Sequence, residues 1–280
     1  MFGLIRRFSS EDTDVNQSQD GQHAAASLHR HKDGVHDVFN PPRPTASPFR
    51  PPPLDPVVLH GYRDGTPAES RLLSHAVAEE IRNMVPERLR IVEDWRLAYG
   101  LERDGASLST LYAKCRAYEG RRVGFVLVVQ DQEGGTFGAY LSEHPHPSPS
   151  YFGNGECFLW RASTMASLSL LPPPPSSDTT HLTTRSTTLA GGTSGGASTP
   201  GSTESIRFKA FPYSGLNDFY MHCEVGYLSV GSGGGHYGLW LDDALDVGHS
   251  ATCETFGNEP LSDAGHKFSV VGVELWVLGA

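Results

Sequence analysis

The sequence lacks an excess of positive charge and any long apolar run. Of its 280 residues, 22 are Lys or Arg and 32 are Asp or Glu, which gives a formal net charge of −10. Nonspecific binding to nucleic acid or to anionic membrane rewards clusters of Lys and Arg, so neither partner is expected. No stretch approaches the roughly 20 apolar residues that span a bilayer. The composition therefore predicts a soluble protein without a membrane-inserted segment.

Cysteine is scarce as well. The four cysteines are far apart and form no C-x-x-C pair; they are Cys115, Cys157, Cys223 and Cys253. This spacing favours reduced thiols in an intracellular protein over a disulfide framework or a zinc site. Cys157 and Cys253 each adjoin a glutamate, whose negative charge opposes thiolate formation. We therefore expect all four to be buried structural thiols.

The sequence lacks the motifs of two common hydrolase classes. Neither the G-x-S-x-G elbow of serine hydrolases nor the H-E-x-x-H helix of zinc proteases occurs. Histidines cluster at His29 and His31 and again at His144 and His146, but both clusters lie in loop-like sequence, where solvated imidazoles are expected. The sequence thus predicts no catalytic residues, no metal site and no cofactor.

Proline, glycine, serine and threonine concentrate in two stretches. Residues 1–56 end in "NPPRPTASPFRPPPLDP", which predicts a disordered proline-rich tail that could carry a short partner motif. Residues 163–205 predict a disordered insertion between two strands, with phosphorylation of its hydroxyl groups as an open alternative. The first ten residues, "MFGLIRRFSS", fit a mitochondrial presequence or an uncleaved tail, and both interpretations stay open because "EDTD" follows.

Hydrophobic periodicity indicates few helices and many strands in the remaining sequence. Helical spacing predicts one helix in "SRLLSHAVAEEIRNMVP" and another in "SLSTLYAKCRAY", whereas "VGFVLVVQDQEGGTFGAYLSE" predicts a β-hairpin. Further strands follow as far as "FSVVGVELWVL". Early helices followed by antiparallel strands predict an α+β, mainly β fold, namely a two-sheet antiparallel β-sandwich with flanking helices.

One glycine-rich segment matches the dinucleotide-binding pattern G-x-G-x-x-G. It runs from Gly233 to Gly238, and Glu254 follows at about the 20-residue distance expected of a ribose contact. That site requires the glycines to open a helix. The residues "HYGLWLD" alternate with period two instead, so we expect the glycines to join two strands. Nucleotide binding stays a minor alternative.

Several carboxylates stand within apolar or glycine-rich segments. They are Glu143, Glu156, Glu254 and Glu259. An acid in such a setting either caps backbone amides or serves a site. Because no spacing fixes a catalytic partner for any of them, structural caps are expected.

Five segments together resemble the TLDc domain, in particular the fungal oxidation resistance protein family. They are "DGASLSTLY", "VLVVQDQEGGTFGAYLSE", "YFGNGECFLW", "VGSGGGHYGLWLDDALDVGHSATCETFGNEPLS" and "VVGVELWVL". The resemblance places a TLDc domain at residues 57–279, interrupted by the 163–205 insertion. The positions that match family motifs, as structural or partner-binding residues, are Glu143, Gly155, Glu156, Gly233, Gly235, Gly238, Trp240, Glu254, Phe256 and Asn258. Cys157 departs from the family pattern, where serine is common.

The resemblance implies a role in protecting cells from oxidative damage, with no established active site. It also implies binding to the catalytic sector of the vacuolar proton-pumping ATPase, whose assembly related proteins regulate. A mitochondrial location is the family expectation, and the cytosol or the cytosolic face of the vacuole is the alternative. We expect a monomer. Direct peroxide scavenging by an exposed cysteine, Cys157 or Cys253, stays open as a second hypothesis.

Overall fold

A computed structural model describes residues 54–67, 70–165, 185–190 and 205–280. The predicted tail, apart from residues 54–56, lies outside the described residues, as do the possible presequence, His29 and His31. The described elements include four α-helices, a 3-10 helix at Arg116–Tyr118 and twelve β-strands. The helices are α1 His75–Met84, α2 Glu87–Arg90, α3 Leu101–Asp104 and α4 Leu108–Cys115. The strands are β1 Val58–His60, β2 Asp94–Gly100, β3 Gly124–Asp131, β4 Thr136–Leu141, β5 Phe158–Met165, β6 Arg185–Ala190, β7 Ser205–Pro212, β8 Met221–Cys223, β9 Tyr227–Gly233, β10 His236–Asp242, β11 Val247–His249 and β12 Lys267–Leu278.

The predicted helices and hairpin are confirmed. Helix α1 begins after Ser74, whose side chain accepts a hydrogen bond from the backbone amide of Val77 and so satisfies one of the unpaired donors of the first turn. It ends before Pro86, which cannot continue a helix. The predicted hairpin corresponds to β3 and β4, which pair in antiparallel register from Phe125 to Gln130.

Two sheets share the long strand β12. Sheet A has the strand order β1-β2-β12-β3-β4-β5-β7-β6, and sheet B has the order β8-β9-β10-β11-β12. The pairs in the described chain are antiparallel except β1 with β2. The first residues of β12 pair with β11, and from Val270 onward they pair with β3 and further along also with β2. The register with β3 shifts between Val270 and Gly272. Such a bulge bends a strand, which lets β12 leave one sheet and enter the other.

Sheet A is covered on both faces. Alternate residues of β3 serve different cores: Val126 packs in the cluster with α1 and α2, and Leu127 packs in the cluster shared with sheet B and α4. The inner face of sheet B contributes Leu239 and Leu241 to that second cluster. The predicted fold class, a mainly β two-sheet sandwich flanked by helices, is therefore confirmed.

The prediction that residues 163–205 form a disordered insertion is wrong for the part that forms strand β6. Strand β6 lies within this stretch and pairs antiparallel with β7, and β5 continues to Met165. The segment "RSTTLA" is rich in β-branched threonine, which suits a strand. A six-residue strand at a sheet edge is hidden when composition is averaged over a long polar stretch. Residues 166–184 and 191–204 lie outside the described residues.

Candidate functional site

The glycine motif forms the tip of the hairpin between β9 and β10. Gly233 pairs with His236, so the turn itself consists of Gly234 and Gly235. Their φ angles are +63° and +83°, as a type I′ turn requires at both central positions. A strand and not a helix follows, so the prediction that the glycines join two strands is confirmed. No helix N-terminus is present at this motif to hold a pyrophosphate.

Two glycines of this motif are required by close neighbours. A Cβ on Gly233 would lie 2.7 Å from the Cβ of Glu254. A Cβ on Gly238 would lie 2.6 Å from Cδ1 of Leu159 and 3.0 Å from Sγ of Cys253. The contacts of 2.7 and 2.6 Å are shorter than real side chains tolerate, so glycine lets the hairpin approach the "CETFGN" loop and sheet A directly.

The "CETFGN" loop is tied to the hairpin by a buried threonine. The hydroxyl of Thr255 donates to the carbonyl of Ser232 at 2.7 Å and accepts from the Ser232 amide at 3.0 Å. Phe256 is 4 % exposed, and its ring packs against Gly231. A Cβ added to Gly231 would lie only 2.5 Å from Cδ2 of Phe256. Gly231 has φ +75°, a second reason for glycine there. Sequence reasoning missed Thr255 and Gly231, although both lie in or next to the quoted motifs.

Asn258 holds the same loop from within. Its Nδ2 donates to the carbonyls of Ala251 and Glu259, each at 2.9 Å, and its Oδ1 accepts from the amide of Cys253 at 3.3 Å. The side chain is 1 % exposed. The side-chain amide of Asn258 therefore bonds to the backbone of the loop and presents no polar group to solvent.

Glu156 forms an ion pair that joins the β4–β5 connection to helix α2. Its carboxylate accepts two hydrogen bonds from the guanidinium of Arg88, at 2.8 and 2.9 Å. This bond raises the pKa of Arg88. The neighbouring Gly155 leaves room for Tyr213, whose Cδ1 would lie 3.0 Å from an added Cβ. Gly155 and Glu156 thus hold the β4–β5 connection against neighbouring segments of the chain.

The prediction that the four singled-out glutamates cap backbone amides is wrong. Among the described residues none of them accepts a hydrogen bond from a backbone amide: Glu156 and Glu259 pair with Arg or Lys, and Glu143 and Glu254 are exposed. Aspartates do the capping instead. Asp131 accepts from the Gly135 amide at 2.7 Å, for example. An aspartate reaches nearby amides with its short side chain, which explains the difference.

The prediction of buried thiols is confirmed for all four cysteines. Cys157 and Cys253 are 1 % and 2 % exposed, so neither is the exposed residue that peroxide scavenging assumes. Burial raises the pKa of both thiols. It also raises the pKa of Cys115 and of Cys223 to about 12. Thiols with raised pKa values stay protonated near neutral pH and are poor nucleophiles.

The two loop histidines contact each other. The rings of His144 and His146 stack with centroids 4.5 Å apart, and burial together with this neighbour lowers the pKa of His144. Within the described residues no group of three or more His, Cys, Asp or Glu side chains is arranged to hold a metal ion. In the same residues no helix is long and apolar enough to cross a membrane.

Sequence reasoning also missed a buried carboxylate in β12. Glu274 is 6 % exposed and accepts hydrogen bonds from Oη of Tyr62 at 3.0 Å, Nε1 of Trp276 at 2.9 Å and the Leu72 amide at 3.3 Å. Burial raises its pKa. A cavity of about 380 Å³ lies beside it. The sequence feature that could have revealed Glu274 is its position as a single acid within the apolar segment "VVGVELWVL". Glu274 fastens the segment that precedes α1 onto sheet A.

Of the two aromatic motif residues, Phe256 is buried, whereas Trp240 faces outwards. Its ring stacks on Tyr227 with centroids 6.0 Å apart and meets His249 edge-on at 5.2 Å. It is only partly buried and belongs to neither core cluster. Trp240 therefore presents an aromatic ring on the outer face of sheet B.

Comparison with known proteins gives one family. The model of the TLDc domain matches residues 66–203 and 201–279. Oxidation resistance protein 1 of Gibberella zeae is 63 % identical over 288 residues, which cover 99 % of this chain and 88 % of the relative. The proteins of the same name from Neurospora crassa and Podospora anserina are 51 % and 52 % identical, covering 99 % of this chain and 85 % and 84 % of the relatives.

Proposed function

Because the chain belongs to the TLDc domain family of oxidation resistance proteins, whose role is protection against oxidative damage, we propose that it acts as a noncatalytic interaction module. Its partner in this proposal is the vacuolar proton-pumping ATPase, whose assembly it regulates. Protection from oxidants is then an indirect result of binding.

The observation that carries this proposal is that the motif residues bond to and pack against neighbouring chain segments. Thr255 and Asn258 direct their polar groups to neighbouring backbone, and Gly233 and Gly238 allow close approach of chain segments. An enzyme site needs a nucleophile, acid or base aimed at a cleft. Motif residues that lock loops to a hairpin instead favour a surface of fixed shape, which is what recognition of a large partner requires.

Burial of the thiols weakens the alternative, direct scavenging of peroxide. The thiolate is the reactive form of cysteine, and desolvation disfavours it at Cys157 and Cys253. Cys157 Sγ also donates to Oγ of Ser142 at 3.4 Å, so it has a structural partner.

The first experiment measures binding of the full chain to the detached catalytic sector of the vacuolar ATPase, with ATP hydrolysis followed in the same samples. Saturable binding with a changed hydrolysis rate is expected. A preparation that is folded by circular dichroism yet does not bind would overturn the choice of partner. Glu133→Gln, which removes an exposed charge from the β3–β4 turn, is the control variant and should bind like the parent chain.

A second experiment separates the interaction module from the scavenger. Cells that lack their own copy are given the parent chain or the double variant Cys157→Ser, Cys253→Ser, and are then challenged with hydrogen peroxide. We expect equal survival at equal protein level. Loss of protection by a double variant that accumulates and unfolds like the parent chain would favour scavenging instead.

Location follows from the partner in this proposal. An ATPase regulator must reach the cytosolic face of the vacuole, whereas the family expectation is the mitochondrion. Imaging the full chain with a fluorescent protein at its C-terminus, beside markers of both organelles, distinguishes the two. Exclusive mitochondrial signal would contradict the proposed partner.

A further inference from the structure

The outer face of sheet B carries a continuous series of aromatic rings, here named the aromatic ladder. Its members in spatial order are Phe219, Tyr151, His222, Tyr227, Trp240 and His249. Successive ring centroids are 4.5, 4.9, 5.7, 6.0 and 5.2 Å apart. None of the six belongs to either core cluster. The fold therefore does not need these rings for its interior.

The ladder leaves apolar surface in contact with solvent. Phe219 is 41 % exposed. Of the four tryptophans, Trp240 alone is partly exposed, since the other three have 0 % exposure. A contiguous exposed apolar patch often marks an interaction site. Trp and Tyr are enriched among the residues that contribute most of the binding energy at interfaces. The ladder is thus a candidate docking surface.

Carboxylates flank the centre of the ladder. Glu224 accepts a hydrogen bond from Oη of Tyr227 at 3.0 Å and lies 3.9 Å from Nε2 of His222. Asp242 pairs with Tyr227 across β9 and β10, and its Oδ1 accepts from the amides of Asp246 and Val247. Within the described residues neither carboxylate contacts a Lys or Arg. Their negative charge is available to a partner.

We propose that the aromatic ladder is the docking surface for an arginine-bearing segment of a partner protein. A guanidinium is planar, stacks on the faces of Tyr and Trp rings, and forms forked hydrogen bonds to carboxylates. The stacked pair Tyr227 and Trp240, with Glu224 and Asp242 beside it, offers both kinds of contact. The net charge of −10 attracts a cationic segment over distance. A purely apolar partner would cover both carboxylates without supplying a cation to pair with them.

This proposal rests on the proposed role as an interaction module but does not depend on the identity of the partner. The test uses hexa-arginine, a peptide without any ATPase sequence, and the full chain. Failure of hexa-arginine to bind rejects the chemistry assigned to the ladder, whereas failure of the ATPase sector to bind rejects the partner. The two outcomes are therefore read separately.

Trp240 supplies the signal. Because the other three tryptophans are fully buried, acrylamide quenches chiefly the fluorescence of Trp240. Hexa-arginine should protect that fluorescence from quenching in a saturable manner. Hexa-citrulline, which has the same shape without the charge, should protect it far less. Equal protection by both peptides, or none by either, would overturn the proposal.

Matched variants locate the binding. The double variant Glu224→Gln, Asp242→Asn should bind hexa-arginine roughly five- to tenfold more weakly, as expected for the loss of two charge contacts at the surface, one exposed and one half-buried. Glu133→Gln removes one exposed negative charge from a turn in sheet A and should leave the affinity unchanged. Unchanged affinity in the double variant refutes the proposal. So does sedimentation that shows a dimer of the chain shielding Trp240, because the occupant would then be a second copy.

Discussion

The two sheets are built from similar strands but differ in what covers them. Strands β3 and β4 of sheet A are buried along nearly their whole length, with helices on one side and sheet B on the other. Strands β9 and β10 of sheet B bury one face, whereas their other face carries Tyr227 and Trp240. Aromatic residues thus stabilise the interior in one sheet and remain available for binding in the other.

The same substitution in the two sheets tests this difference most strongly. Trp160 in β5 is 0 % exposed and stacks on Phe208 with centroids 6.1 Å apart. Trp160→Ala should lower the free energy of unfolding by about 3–5 kcal/mol, since it leaves a cavity. Trp240→Ala on the outer face should cost about 1 kcal/mol or less. Urea unfolding followed by circular dichroism measures both, and equal losses would contradict the comparison.

The next largest effect should come from the buried hydroxyl that joins the sheet B hairpin to its loop. Thr255→Val keeps the shape of the side chain but leaves the Ser232 amide without its partner, at a cost of about 1–3 kcal/mol. Thr136→Val in β4, where the hydroxyl makes no hydrogen bond among the described residues, is the control and should change stability by about 0.5 kcal/mol or less. Similar losses in the two variants would show that the hydroxyl of Thr255 carries no special stability.

Sheet A contains a buried carboxyl group, Glu274, that should make stability fall as pH rises through the mildly acidic range. Burial raises the pKa of Glu274 above its value in the unfolded chain, which is about 4.3 for a free glutamate. The stabilisation is complete below the unfolded pKa and is lost as pH rises through the folded pKa, because the folded state binds the proton more tightly. The free energy of unfolding of Glu274→Gln, measured at several pH values, should therefore fall less steeply with pH in that window than that of the parent chain. An unchanged slope would mean that Glu274 does not titrate with folding.

Local patterns in the sequence predicted most of the fold because they reflect local physics. Period-two alternation identified β10, and the glycine run identified its turn. What the sequence did not reveal depends on distant partners. Glu274 contacts Tyr62, 212 positions away, and no local pattern indicates such a pairing. The strand β6 likewise exists through its pairing with β7, so composition alone concealed it.

The candidate site was predictable in part for the same reason. Gly233, Gly235 and Trp240 could be placed on one hairpin from the sequence alone. The neighbours of Trp240 could not, because Tyr227 and His249 come from other strands and meet it only through the register of sheet B. The aromatic ladder is therefore a property of the folded sheet, invisible in any single segment.

The smallest expected effect concerns the turn that ends the sheet B hairpin. Gly235 has φ +83° and open space where a Cβ would stand, so only backbone strain opposes a side chain there. Gly235→Ala should cost about 1 kcal/mol of unfolding free energy, whereas Gly235→Asn should cost less, because asparagine tolerates this conformation. Urea unfolding of both variants provides the measurement. Equal losses would mean that contacts and not backbone conformation determine the cost, which would place the hairpin tip among the packed regions that the comparison assigns to sheet A.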